Sequence, residues 1–231
     1  MKTRIINLTL LALLFAITAL AISVMPDVVG VHFDAQGNPD RFGSKYELLI
    51  VPTVMLFMQA AMEFACACFR RAAINSDDDK KRAALDANLK QMNAVSVIAS
   101  FVLLIVGGLG LYASYCSVDA SSQQSFDIVK VVIILLGLML IILGDRMPKT
   151  RTNSLIGFRL PWTMYNDLTW RKSNLFASYA MMLAGIISAV CALILEGTVA
   201  IIVFLALIVL ATLISICYAY SVYKEEKSNE N

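Results

Sequence analysis

The chain has 231 residues, 59% of them hydrophobic and only 16% charged, with a mean hydropathy of +0.73. A soluble domain is usually about 45–50% apolar and about 25% charged, so this composition excludes an ordinary soluble fold. The formal net charge of +2 is too small to point to nucleic acid.

The apolar residues gather in six runs, at roughly 5–24, 48–69, 94–115, 128–144, 175–195 and 199–220. Crossing a hydrocarbon core of about 30 Å takes about 20 helical residues, and every backbone polar group must be satisfied within the segment or by a closed barrel. The runs are too long for barrel strands. They predict an all-α integral membrane protein with six transmembrane helices.

Sixteen of the 19 Lys and Arg fall in the segments that share a side with the N-terminus; Arg41, Lys45 and Lys130 are the exceptions. Basic residues are retained on the cytoplasmic side, so both termini are expected in the cytoplasm. Lys2 and Arg4 before the first run also fit a cleavable signal peptide. The run continues past Ala19-Leu20-Ala21 to Val24, which favours a span.

The segment after the first run, 26–47, carries Val28-Val29-Gly30-Val31-His32-Phe33, short and β-branched, followed by turn residues through Asn38-Pro39-Asp40. It predicts a small ordered extracytoplasmic cap, with Phe33 and Phe42 folded back on the helix ends. His32 is the only histidine, so a multi-histidine metal site is excluded.

In the second run Glu63 lies one helical turn beyond Gln59, on the same face. A carboxylate at membrane depth costs a few kcal/mol, so it reaches the inner interface, pairs with a loop Arg (Arg159 as the expected partner), or binds a proton or ligand. After the second run, Ser76 is a good N-cap before Asp77-Asp78-Asp79, and nothing breaks the chain from there into the third run. One helix is predicted from about 77 to 115, roughly 57 Å long. Gly107-Gly108-x-Gly110 inside it suits close helix packing. Lys130 and Asp127 predict an ion pair at the start of the fourth span.

The segment 145–174 mixes basic, aromatic and turn residues and holds both tryptophans. Two readings stand: interfacial anchoring by Trp, Tyr, Lys and Arg, or a re-entrant element that lines a groove for an anionic or peptide ligand. The five cysteines include no CxxC and pair with no histidine, so they read as packing residues. No HExxH, Walker loop or GxSxG occurs, so no enzyme is expected, and no cofactor or metal.

Gly144-Asp145-Arg146-Met147-Pro148-Lys149, then Asn153-Ser154-Leu155-Ile156-Gly157-Phe158-Arg159-Leu160-Pro161-Trp162-Thr163 and Trp170-Arg171-Lys172, closely resemble the signature of the bacterial Sdp toxin-immunity family. His32-Phe33-Asp34, Gly37, Pro39-Asp40, Gly43 and Lys45 are similar to a short domain of unknown function that often precedes it. Asp145 stands where the family pattern has Asn, Leu160 where it has Thr, and Ser173-Asn174 where it has Thr-His.

The resemblance implies immunity to a secreted toxic peptide met on the outer side. It also implies signalling by a repressor held at the inner side of a bacterial plasma membrane. The candidate residues are Asn153, Gly157, Arg159, Pro161, Trp162, Thr163, Trp170 and Lys172 in the motif, with His32, Gly37, Pro39, Asp40 and Lys45 in the outer loop. Arg159 is expected to hold a carboxylate or phosphate, Pro161 to start a helix at its first position, and Trp162 to set its depth.

The chain then divides into 1–69 (two spans with the outer loop), 70–93 (a cytoplasmic extension), 94–222 (the immunity-like four-helix region) and 223–231 (a cytoplasmic tail). Two rival readings remain: a solute or ion-coupled transporter using Glu63, and a membrane signalling scaffold recruiting a soluble partner through its basic inner loops.

Overall fold

In the computed structural model, residues 2–118, 127–152 and 157–229 are described. Six helices form: α1 (Lys2–Val24), α2 (Ile50–Ile74), α3 (Asp79–Cys116), α4 (Ile128–Arg146), α5 (Asp167–Ile194) and α6 (Gly197–Asn229). Each belongs to a helical segment long and apolar enough to cross a membrane. Between α1 and α2 lies an antiparallel hairpin, β1 (Val28–Phe33) and β2 (Pro39–Ser44).

α3 runs as a single helix of 38 residues, as its uninterrupted sequence predicts. Its N-cap is Asp78 and not Ser76: the Asp78 carboxylate accepts from the Lys80 and Lys81 amides. A carboxylate at that position also meets the positive end of the helix dipole, which a hydroxyl cannot match. α5 begins well before the apolar run at Leu175, because Asn166 and Thr169 form a reciprocal capping box at Asp167.

The helices pack as two groups. α1, α2 and α3 close around Leu10, Leu11, Leu14 and Met55. Nearer the α3 start, Cys66, Leu89 and Met92 form a second cluster. On the other side, Ile133 of α4 meets Ala192 and Ala200 of α5 and α6. Helices in lipid gain from close approach and from bonds between them. α4 and α5 cross glycine on glycine: a Cβ at Gly137 would lie 2.7 Å from the Gly185 carbonyl oxygen, and one at Gly144 would meet Met182 at 2.7 Å. In the Gly107-Gly108-x-Gly110 run only Gly107 serves this purpose, against Leu14; beside Gly108 and Gly110 there is open space.

Polar residues tie α1, α2 and α3 together at membrane depth. Asn7 Nδ2 donates to Ser96 Oγ at 2.8 Å, and Gln59 Nε2 donates to the Asn7 carbonyl at 2.9 Å and to Ser100 Oγ at 3.1 Å. The predicted Lys130–Asp127 pair is present at 4.0 Å, with Asp127 also capping α4.

The hairpin seals one end of the bundle. Pro39–Ser44, whose turn residues disguise it, is a strand because it pairs with β1 from Ser44 opposite Val28 to Pro39 opposite Phe33. Pro39 is tolerated as the first residue of the strand. The turn closes on Asp34, whose carboxylate accepts from the Gln36 amide at 2.9 Å and the Asn38 amide at 2.8 Å. These bonds, with the Asn38 amide foremost, hold the Asp34 carboxyl below the usual carboxylate range. Gly37 takes the positive φ of 84° that the turn needs.

Gly30 anchors the hairpin to α3: its amide donates to Ser117 Oγ at 2.8 Å and its carbonyl accepts from Ser114 Oγ at 2.7 Å. Gln36 Nε2 reaches Thr198 Oγ1 of α6 at 2.6 Å, so the cap spans both helix groups. Phe33 turns inward, as expected, and lines a cavity of about 200 Å³ beneath the cap. Phe42 does not; it stays 54% exposed on the outer face of β2.

Candidate functional site

At the end of the bundle opposite the hairpin, α4 stops and the motif segment begins. A single 3-10 turn, Met147–Lys149, follows α4 with Pro148 near its start. Lys149 Nζ pairs with Asp145 at 2.6 Å. Thr150 is buried and donates from Oγ1 to the Met147 carbonyl at 2.7 Å. Its own carbonyl accepts from Trp170 Nε1 at 3.2 Å. The next amide, of Arg151, donates to Asn88 Oδ1 of α3 at 3.0 Å. Asn88 is 1% exposed, so a side chain far away in sequence holds this strand of the loop from within the core.

The second strand of the loop is held by Asn174. Its Oδ1 accepts from the Phe158 amide at 2.7 Å, and its Nδ2 donates to the Trp170 carbonyl at 3.0 Å. Gly157 precedes Phe158 with φ of +121°, and a Cβ there would lie 2.8 Å from both Asn174 Oδ1 and the Trp170 ring. Only glycine suits both the backbone and the space. Thr163, fully buried, binds the returning chain: its Oγ1 accepts from the Leu160 amide at 2.9 Å and lies 3.0 Å from the Phe158 carbonyl oxygen.

Five of the eight motif candidates have structural partners among the described residues, three of them in this bracket and two on α6. Gly157, Thr163 and Trp170 form the bracket. Trp162 packs edge-on against Tyr220 of α6 with ring centroids 5.8 Å apart, and Lys172 pairs with Glu226 of α6 at 3.7 Å. Pro161 does not start α5; it sits in a separate turn closed by the Thr163 and Met164 amides on the Leu160 carbonyl, because Asn166 caps the helix five residues later. Arg159 is exposed and makes no ion pair among the described residues. Asn153 lies outside the described residues. A cavity of about 640 Å³ beside the bracket is lined by Lys149, Arg151 and Arg171 as well as Asp167, a lining suited to an anion.

Glu63 stands apart from this site. Its carboxylate pairs with Arg70, on its own helix, at 3.5 Å and not with Arg159. Gln59 occupies the core between α1 and α3, whereas the Glu63 side chain is 35% exposed. The long Arg70 side chain reaches back along α2, which satisfies the carboxylate without the loop.

The outer candidates hold the hairpin together. His32 Nδ1 lies 2.6 Å from Asp40 Oδ1, and Lys45 Nζ meets both Asp27, at 3.2 Å, and the Met25 carbonyl, at 3.2 Å. Arg41 pairs with Glu47 at 2.9 Å, while Glu47 also closes a capping box with Ser44. Among the described residues no group of three His, Cys, Asp or Glu is placed to hold a metal.

Sequence reasoning missed Asn88 and Thr150, and it gave Asn174 only as a departure from the family pattern. Asn88 lies in the stretch read as a cytoplasmic extension, and nothing local marks it.

Two family models match the chain. Residues 149–219 match the SdpI/YfhL protein family, and residues 9–56 match a domain of unknown function. The immunity protein SdpI of Bacillus subtilis is 25% identical over 97% of this chain and 98% of its own length. An uncharacterized protein of Archaeoglobus fulgidus is 51% identical over 49 residues, 21% of this chain and 27% of its own. No solved structure matches the chain significantly.

Proposed function

We propose that this SdpI-family, multi-pass membrane protein, whose residues 149–219 carry the SdpI/YfhL region, is a non-enzymatic immunity protein that protects its cell from a secreted toxic peptide. One observation carries the reading: the likeness to an immunity protein extends over 97% of the chain, so the hairpin cap and the bracketed loop are both part of it. The excess of basic residues at the loop end argues for a cytoplasmic loop in a bacterial plasma membrane, with the hairpin outside.

In this reading the hairpin is the surface that a peptide arriving from outside meets first. The loop is the cytoplasmic recognition element. Exposed Arg159 and Arg171 have no ion pair among the described residues and are available to a carboxylate of a soluble partner such as a repressor. Glu63, paired on its own helix, lends no support to ion-coupled transport.

Survival of peptide-sensitive cells expressing the chain tests the proposal. Protection by the wild type is expected. Equal killing with and without the protein, across a panel of secreted membrane-active peptides and with insertion verified, overturns it. Co-sedimentation of a repressor with membranes, lost in Arg159→Ala, tests the signalling part.

A further inference from the structure

Between the two helix groups, at the loop end, lies a groove of about 580 Å³ that no part of the immunity reading uses. Its walls are almost wholly apolar: Met58 and Met62 of α2, Met181 of α5, Met147 and Phe158 beside the bracket. Among the described residues one charged side chain, Arg146, lines it. The Arg146 Nε is buried and has no hydrogen-bond acceptor among the described residues. Its nearest carboxylate oxygen is Asp145 Oδ2 at 3.6 Å, and that oxygen is taken by Lys149 at 2.6 Å.

The groove thus presents two unmet demands side by side. One is a long apolar volume among spanning helices, where the surrounding medium is acyl chains. The other is the Arg146 Nε–H, without an acceptor among the described residues, at the helix end, where lipid headgroups sit. We propose that the groove is a binding site for one anionic phospholipid, with an acyl chain among the methionines and the phosphate on Arg146. Methionine is unbranched and flexible, so it follows the contour of a chain that has no fixed shape. A guanidinium binds a phosphate by charge-assisted bonds, and basic pockets between spanning helices favour anionic headgroups. A free phosphate would leave the apolar volume unused, and a zwitterionic headgroup would bring its own cation to Arg146.

The lipid is also a support for the loop. Phe158 lines the groove, while its amide is the one held by Asn174. An acyl chain packed on the Phe158 ring therefore braces the bracket from its membrane side.

Native mass spectrometry of the full chain in detergent, titrated with phosphatidylglycerol or phosphatidylcholine of equal chain length, tests this. One phosphatidylglycerol retained per chain is expected, with a preference of about fivefold, the factor that one basic side chain at an anionic surface supplies. Arg146→Gln reduces that to the phosphatidylcholine level, and Arg146→Lys restores part of it. Ala61→Trp, which fills the groove, abolishes retention of the bound lipid; Ala65→Trp repeats the test on the next turn if the first variant does not fold. Equal retention of the two lipids by the wild type overturns the proposal. So does an unchanged preference in Arg146→Gln, or displacement by inorganic phosphate. None of these outcomes depends on whether the protein confers immunity.

Discussion

Gly157→Ala is the sharpest perturbation of the bracket. The new Cβ would sit 2.8 Å from Asn174 Oδ1 and from the Trp170 ring, at a residue whose φ is +121°. Backbone strain of this kind costs about 1–3 kcal/mol. Moving Asn174 aside also forfeits its bond from the Phe158 amide, worth about 1 kcal/mol. The bracket should therefore lose about 2–4 kcal/mol. The readout is local because Trp162 and Trp170 are the chain's two tryptophans. In a Trp162→Phe background, emission reports Trp170 alone, which is 3% exposed and bonded through Nε1. Gly157→Ala should shift that emission to the red, raise its quenching by iodide and lower the melting temperature. Unchanged emission and quenching would refute the bracket as the reason for a glycine here.

Asn174→Leu should destabilise by about 1–3 kcal/mol, since it leaves the Phe158 amide without its acceptor; thermal melting in detergent measures it, and Asn174→His should recover a substantial part. Asp34 gives a pH dependence. Its folded pKa is lowered, so its contribution to the hairpin is full above the unfolded carboxylate pKa and is lost as pH falls through the folded value. Amide exchange at Gln36 and Asn38 should accelerate in that acid window, and Asp34→Asn should remove the dependence. Glu63→Gln should leave protection intact and change stability by less than about 1 kcal/mol, as expected for a partly exposed pair; loss of protection in a normally inserted variant would revive a functional carboxylate.

The fold was legible because lipid imposes a simple code. Runs of about 20 apolar residues have one backbone solution, so six helices followed directly. Helix ends were less legible. α5 starts inside what reads as a loop, since Thr169 and Trp170 look like interfacial residues until the Asn166–Thr169 box is seen. Glycine patterns misled for a related reason. The dense Gly107-Gly108-x-Gly110 run drew attention, whereas the tight crossing uses the widely spaced Gly137 and Gly144 against α5. Close approach depends on where helix axes cross, and a single helix does not encode that crossing.

The site was legible as a list of residues but not as a mechanism of folding. The motif reads either as an interfacial anchor or as a ligand-lining element because it is rich in Arg and Trp, yet Gly157, Thr163 and Trp170 serve the loop's own packing. Gly157 makes room, Thr163 pins the turn and Trp170 bonds the Thr150 carbonyl. Asn174 is the instructive case. It stands where the family pattern has His. In the bracket Asn174 uses one acceptor and one donor: Oδ1 accepts from the Phe158 amide, and Nδ2 donates to the Trp170 carbonyl. A neutral imidazole offers the same two valences, one acceptor nitrogen and one donor. The two residue types are therefore interchangeable for holding the loop and not for moving a proton. That asymmetry makes position 174 a fastener of the loop.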